Sequence, residues 1–402
     1  MLLRSHSRDI QLLAWGTLAR SLGSGGVLTL LVLYFVRNRD FPAQQVGLAL
    51  SLGGLAGVLA SVPAGKLSEG SRSKATATVS VIGQGAAVLG YVAVGTFPAL
   101  ILAACMVGLF EASSNASRGA LVAALADGTD RVVVRAKLRA VTNGGSSIGA
   151  AAGGVVLAAN RPAIWNGAII GCGIGFILGG ICIARVSAPV AVSRPANAHA
   201  WAVLRDRQYA YLGGLNMILT MNLGILTVAL PVWIASSVSA PSWTYGALIV
   251  LNTVLVVLFQ VRLSKPVDDI RSGGRAMGKS GIYLAGCCLI FSAAGHIPSW
   301  WALLILVIGG TVHALGEMVY SAGSWALSYD LAPAHAHGQY QGMFAMSTQL
   351  GTAITPVVTT TLIVRLGFSG WWVIGALMLL AGLACIPLAS SASAHQEEPA
   401  LA

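Results

Sequence analysis

Twelve apolar runs, each about 20 residues long or longer, follow one another along this 402-residue chain. They lie near 9–36, 46–65, 75–96, 98–125, 137–159, 163–184, 208–235, 242–261, 279–297, 300–328, 341–364 and 369–390. A helix rises about 1.5 Å per residue, so roughly 20 residues cross a hydrocarbon layer about 30 Å thick. Charged residues make up 9% of the chain and apolar ones 56%, against roughly 25% charged in soluble domains, and the mean hydropathy is +0.77. A water-soluble shell cannot be built from that composition. The expected fold is an all-α membrane protein of twelve transmembrane helices, with short connections making sequence neighbours antiparallel.

The formal charge of +11 fits topology better than nucleic-acid binding. With the N-terminus inside, 18 lysines and arginines flank the cytoplasmic ends of the runs, four (Arg37, Arg39, Arg161 and Arg365) lie outside, and Arg20 and Arg118 fall within runs. Cytoplasmic loops collect Lys and Arg, so both termini are expected in the cytoplasm and the chain in the cell's inner (plasma) membrane, multi-pass. Trp165, Trp233, Trp243, Trp300, Trp301, Trp371 and Trp372 fall at outer ends, where amphipathic rings favour the membrane interface. The start, MLLRSHSRDIQLLAWG, leads into a full span without a small-residue cleavage site and reads as an anchor. All six cysteines sit inside runs with no CxxC pair, so neither disulfides nor a metal cluster is expected.

The chain repeats itself. RDIQ at 8–11 recurs as RDRQ at 205–208, and GVLT at 26–29 as GILT at 224–227. Further along, an offset of 206 pairs Glu111 with Glu317, Gly145 with Gly351, Ile148 with Ile354 and Trp165 with Trp371. The expected organisation is an N-terminal six-helix bundle (1–185), a cytoplasmic linker (186–207), a C-terminal six-helix bundle (208–390) and a cytoplasmic tail (391–402). Parallel repeats of this kind describe secondary transporters that bind substrate near the midplane. The chain resembles the major facilitator superfamily over nearly its whole length, in two pseudo-symmetric six-helix bundles.

Two motifs sharpen the resemblance. GSSIGAAAGG, Gly145 to Gly154, is similar to the antiporter signature G-x-x-x-G-P-x-x-G-G of that superfamily's bacterial drug/proton exporters, with Gly145, Gly149, Gly153 and Gly154 matching and Ala150 where proline is usual. Its repeat mate keeps the proline as Pro356. Small residues four apart also let any two membrane helices approach closely, so packing alone is the competing reading. GKLSEGSRSK, residues 65–74, resembles the superfamily's cytoplasmic loop signature: Gly65, Leu67, Ser68 and Lys74 match and Glu69 replaces aspartate. The resemblance implies a gating loop, whose carboxylate could meet the positive N-terminal end of span eleven.

Charges within the runs are rare and costly, at least about 2.5–3.5 kcal/mol each on insertion scales. Four stand out: Arg20, Glu111, Arg118 and Glu317. Glu111 and Arg118 are seven apart, two turns along one helix face. In the resembled family spans one, four, seven and ten line the cavity, and these charges fall on one, four and ten. Span seven offers Asn216 and Asn222. His313, four residues before Glu317, either tunes that carboxylate or is a satisfied core histidine.

These residues describe a transporter and no enzyme. The reading is a proton-coupled exporter of small amphipathic compounds or drugs working by alternating access, with Glu111 first and Glu317 second as proton carrier. Arg20 is the expected counter-ion, and Arg118 a second counter-ion or part of a gate. The alternative is a proton-coupled importer of a polar or anionic metabolite. The expected partners are a small-molecule substrate, protons and the lipid bilayer, with no nucleic acid, and the chain is expected to be monomeric. No phosphate-cradling loop is present to draw on ATP. His335 and His337 have no third ligand nearby, so no cofactor and no metal is expected.

Overall fold

The computed structural model describes residues 8–69, 72–125, 130–159, 161–187, 202–238, 243–295, 297 and 299–397, and among these there is no strand. The helices are α1 (Arg8–Leu33), α2 (Ala43–Leu67), α3 (Arg72–Gly90), α4 (Phe97–Leu125), α5 (Asp130–Ala159) and α6 (Pro162–Ala184). There follow α7 (207–237, interrupted as described below), α8 (Thr244–Ser264), α9 (Ile270–Ala294), α10 (Ser299–Asp330), α11 (His337–Leu366) and α12 (Phe368–Glu397). The expected all-α architecture is the one observed.

Ten of these helices are long and apolar enough to cross a membrane. The other two, α5 and α11, are repeat mates. Their runs carry Gly, Ser, Thr and Gln in place of large aliphatics, a composition suited to helix contacts more than to lipid. Elsewhere large apolar side chains stand exposed, among them Trp300, Leu28 and Leu59, far more than a soluble surface tolerates.

The described residues gather into two compact units. One takes in those of Met1–Asp127, Lys137–Ala202 and Ala332–Met346. Within it α2 packs on α4, α3 on α4, α3 on α6 and α1 on α6. The other takes in those of Gly128–Ala136, Val203–Leu331 and Ser347–Ala402, where α8 packs on α10, α9 on α10, α9 on α12 and α7 on α12. Adding six to each helix number converts the first set into the second, so the repeat seen as scattered sequence matches is a repeat of packing.

The tryptophans at the span ends fall into two environments. Trp243, Trp300, Trp301 and Trp372 are exposed, but Trp165, Trp233 and Trp371 are buried. Trp233 and Trp371 meet edge to face at 6.3 Å, Phe291 lies 5.4 Å from Trp371, and the Trp233 indole N–H donates to the Phe291 carbonyl at 2.8 Å. A large ring buries more apolar area in a bundle's own core than at an interface.

Helix α7 is broken. It is regular over Arg207–Thr220, holds a short piece at Asn222–Gly224, widens into a π-turn at Ile225–Ala229 and resumes at Leu230–Ser237. Pro231 opens the last segment, where its missing N–H and its ring exclude the hydrogen bond a continuous helix would make. The Asn222 amide adds to the break by donating to the Leu219 carbonyl at 2.5 Å, a local bond that competes with the helix ladder.

Candidate functional site

In the first unit Arg20, on α1, is 9% exposed and its Nε has no hydrogen-bond partner. Its stem passes the small face of α6: a Cβ added at Gly179 would stand 3.3 Å from the Arg20 Cβ. Glu111, on α4, is solvent-accessible and lines a cavity of about 470 Å³ walled by α1, α2, α3, α4 and α6. The Arg20 guanidinium and the Glu111 carboxylate lie within electrostatic reach of each other, and the Tyr91 phenol is also within reach of Glu111. Arg118 is placed elsewhere. Its Nη2 donates to the Thr17 hydroxyl of α1 at 3.0 Å, one helical turn from Arg20.

The second unit holds its polar groups differently. Glu317 is 5% exposed and accepts a hydrogen bond of 3.2 Å from the Asn252 amide of α8. His313 is buried, and its Nε2 stands 3.0 Å from the backbone carbonyl of Asn222 in the α7 break. The imidazole's bond thus serves α7, not the carboxylate one turn away. The Asn216 amide donates to Ser347 at 2.9 Å and Thr348 at 3.1 Å and accepts from Tyr320 at 2.8 Å. The Tyr320 hydroxyl also shares a 2.6 Å bond with Thr220. Both asparagines are fully buried.

Gly145, Gly149 and Gly153 press α5 against α1. A Cβ at Gly145 would come within 2.9 Å of the Ser21 Cβ, one at Gly153 within 3.0 Å of the Thr29 Cβ, and one at Gly149 would run into the Leu22 carbonyl. The repeat mate does the same: a Cβ at Gly351 on α11 would meet the Met217 carbonyl and, at 3.1 Å, the Thr220 Cβ of α7. Gly154 stands apart, with nothing within 4 Å of an added Cβ, and Ala150 is half-buried on α5.

The loop motif sits at the start of α11. A Cβ at Gly65 would strike the Gly338 carbonyl and stand 2.8 Å from the Gly342 Cα. A Cβ at Gly338 would lie 2.9 Å from the Glu69 Cγ. Glu69 therefore lies beside the first turn of α11, where N–H groups without helical acceptors favour a negative charge. Lys74 lies in the first turn of α3. Asn252, Gln84 and Tyr320 were not singled out by sequence; a lone polar residue in a span carries no periodic signal. Among the described residues no group of three His, Cys, Asp or Glu side chains could hold a metal ion.

The fold has well-matched counterparts. It superposes on a bacterial homologue of the iron transporter ferroportin in an outward-facing state with a TM-score of 0.74 and 16% identity, covering 96% of this chain and 100% of that one. A human organic anion transporter matches at 0.71 and 12% identity, with 94% and 99% covered. A proton:xylose symporter matches at 0.68 and 15%, with 93% and 94% covered. Among curated proteins no sequence matches the chain. The profile of the Major Facilitator Superfamily matches residues 13–310. With that match, and with two units that repeat one packing scheme, the chain belongs to the Major Facilitator Superfamily, whose members are multi-pass membrane transporters.

Proposed function

We propose that this secondary transporter is a proton-coupled exporter of small amphipathic compounds, with Glu111 as proton carrier and Arg20 as its counter-ion. One observation carries the reading: Glu111 opens onto a cavity while lying within electrostatic reach of a buried arginine. A carboxylate there is balanced by Arg20 when charged and can take a proton from the cavity. Coupling requires that this exchange occur within the working pH range. Glu317, under the Asn252 amide, is the second carrier. Arg118, Asn216, Asn222 and His313 hold helices in place around these two.

The glycines of α5 against α1 support the antiporter reading, and Glu69 beside α11 supports a gate on that side. The charge asymmetry along the sequence supports cytoplasmic termini and a bacterial plasma-membrane location. The bundles of 1–185 and 208–390 act as the moving halves, and one chain suffices.

The test is transport in reconstituted vesicles under an imposed pH gradient and, separately, an imposed voltage. Glu111→Gln, a mimic of the protonated state, is expected to abolish pH-driven flux while leaving the protein folded and some substrate binding intact. If Glu317→Gln alone loses it, the roles are swapped. If both keep it, proton antiport fails. A polar or anionic importer is the second reading, favoured by the unpartnered Nε of Arg20. Gradient-driven accumulation of an organic acid in place of extrusion would select it.

A further inference from the structure

The cavity beside Glu111 has a polarity that narrows what it can hold. Most of its wall is apolar, with Val27, Leu31, Leu50, Val107 and Phe176 among the contributors. The polar side chains in the wall are Ser24, Gln84, Tyr91 and Glu111, and no Lys, Arg or His is among the lining residues. Arg20 is not one of the lining residues. Gln84, on α3, is 3% exposed, and its Oε1 is buried without a hydrogen-bond partner. A buried acceptor left unpaired costs about 1–3 kcal/mol. A ligand that brings a donor removes that cost.

We infer that the cavity binds a protonated primary or secondary amine with an apolar body, its N–H groups divided between the Glu111 carboxylate and the Gln84 carbonyl. The inference rests on the reading of this cavity as the transport site, and it adds both a substrate class and a specificity-determining residue, Gln84. Charge draws the ammonium to Glu111. Apolar walls take the hydrocarbon, as in most small-molecule sites of about 300–1,000 Å³. Gln84 supplies the discrimination: a site built around an acceptor rejects the analogue that lacks the donor. A quaternary ammonium has the charge and the apolar body but no N–H, so it satisfies Glu111 and leaves Gln84 unpaired.

The experiment is calorimetric binding to the purified full-length protein at constant pH. The probes are 4-phenylbutylamine, its N,N,N-trimethylammonium counterpart and 4-phenylbutanol. The wild type is expected to bind the primary amine about tenfold tighter than the quaternary one, the size of one hydrogen bond from a charged donor, and the alcohol more weakly still. Gln84→Met, close in volume, is expected to bring the two cations to within about twofold by weakening the primary amine alone. Equal binding of both cations by the wild type, tighter binding of the alcohol, or no binding of the amine overturns the inference, and the wild-type ranking needs no variant to fold. Binding at fixed pH does not depend on coupling. Glu111→Gln vesicles that still respond to a pH gradient would remove the antiport reading, while the amine ranking is decided separately.

Discussion

The Asn252 amide on α8 donates to the Glu317 carboxylate on α10 across 3.2 Å. Glu111 and Glu317 are repeat mates in sequence, yet one opens onto a cavity and the other is 5% exposed. Removing Asn252 would deprive a buried carboxylate of a donor, at a cost of about 1–3 kcal/mol. Asn252→Leu is therefore expected to lower thermal stability in detergent. Glu317→Gln, which keeps an oxygen to accept the bond, is expected to stay folded and to retain most pH-driven transport. An unchanged melting temperature for Asn252→Leu would show that this bond contributes nothing.

Two neighbouring glycines on α5 make a second contrast. At Gly149 an added Cβ runs into the Leu22 backbone carbonyl, whereas at Gly154 it meets open space. The sequence suggests that alanine would be mild across the motif, but a backbone oxygen cannot step aside as a side chain can. Gly149→Ala is expected to push α1 and α5 apart and cost about 1–3 kcal/mol through overpacking, while Gly154→Ala should be silent in both stability and transport. Equal behaviour of the two variants would remove the close-approach argument.

The fold was legible because membrane solvent makes its demands in runs of about 20 residues, and the repeat was legible because Glu111, Gly145 and Trp165 each have a mate at one offset. The rare charges in the spans marked Arg20 and Glu111 as candidates, and the two lie within electrostatic reach of each other. The environment of each was not legible. Nothing in the local sequence says that His313 turns to α7 in place of Glu317, that Trp165 and Trp371 go inside while Trp372 stays out, or that Gln84 faces the cavity of Glu111. Those outcomes depend on which helix lies opposite, and one chain's periodicity does not reveal its neighbours.

The α7 break leads to the third prediction. His313 Nε2 meets the Asn222 carbonyl where the π-turn disrupts the ordinary i to i−4 bonding. With its proton on Nε2 the imidazole donates to a carbonyl in a buried stretch, where loss of a donor costs about 1–3 kcal/mol. His313→Phe keeps the bulk and loses the bond, so it is expected to destabilise by that amount. His313→Gln, with an amide that can donate, should recover part of it. If Phe is as stable as wild type, the bond does not hold the break.

The last prediction concerns pH at the start of α9. The Asp269 carboxylate accepts from the Ser272 backbone N–H at 2.5 Å, and the Ser272 hydroxyl accepts from the Asp269 N–H at 2.9 Å, a reciprocal cap for the helix N-terminus. The hydrogen bonds from Ser272 are the main cause that holds this carboxyl below the ordinary aspartate value of 3.8, with Arg275 and Arg271 adding their charges. Because the folded value is the lower one, the unfolded chain takes up the proton first as pH falls. The stability this group contributes is complete above about pH 5, where aspartates of both states are ionised, and is lost as pH falls through the lowered value. Asp269→Ala should remove the cap at all pH values, costing about 1 kcal/mol. Asp269→Asn keeps an acceptor without the titration, so the stability difference between wild type and Asp269→Asn should be constant from pH 7 to 5 and shrink from pH 5 to 3. Thermal unfolding of both proteins across that range measures it, and a difference that grows with acid would reverse the sign and refute the assignment.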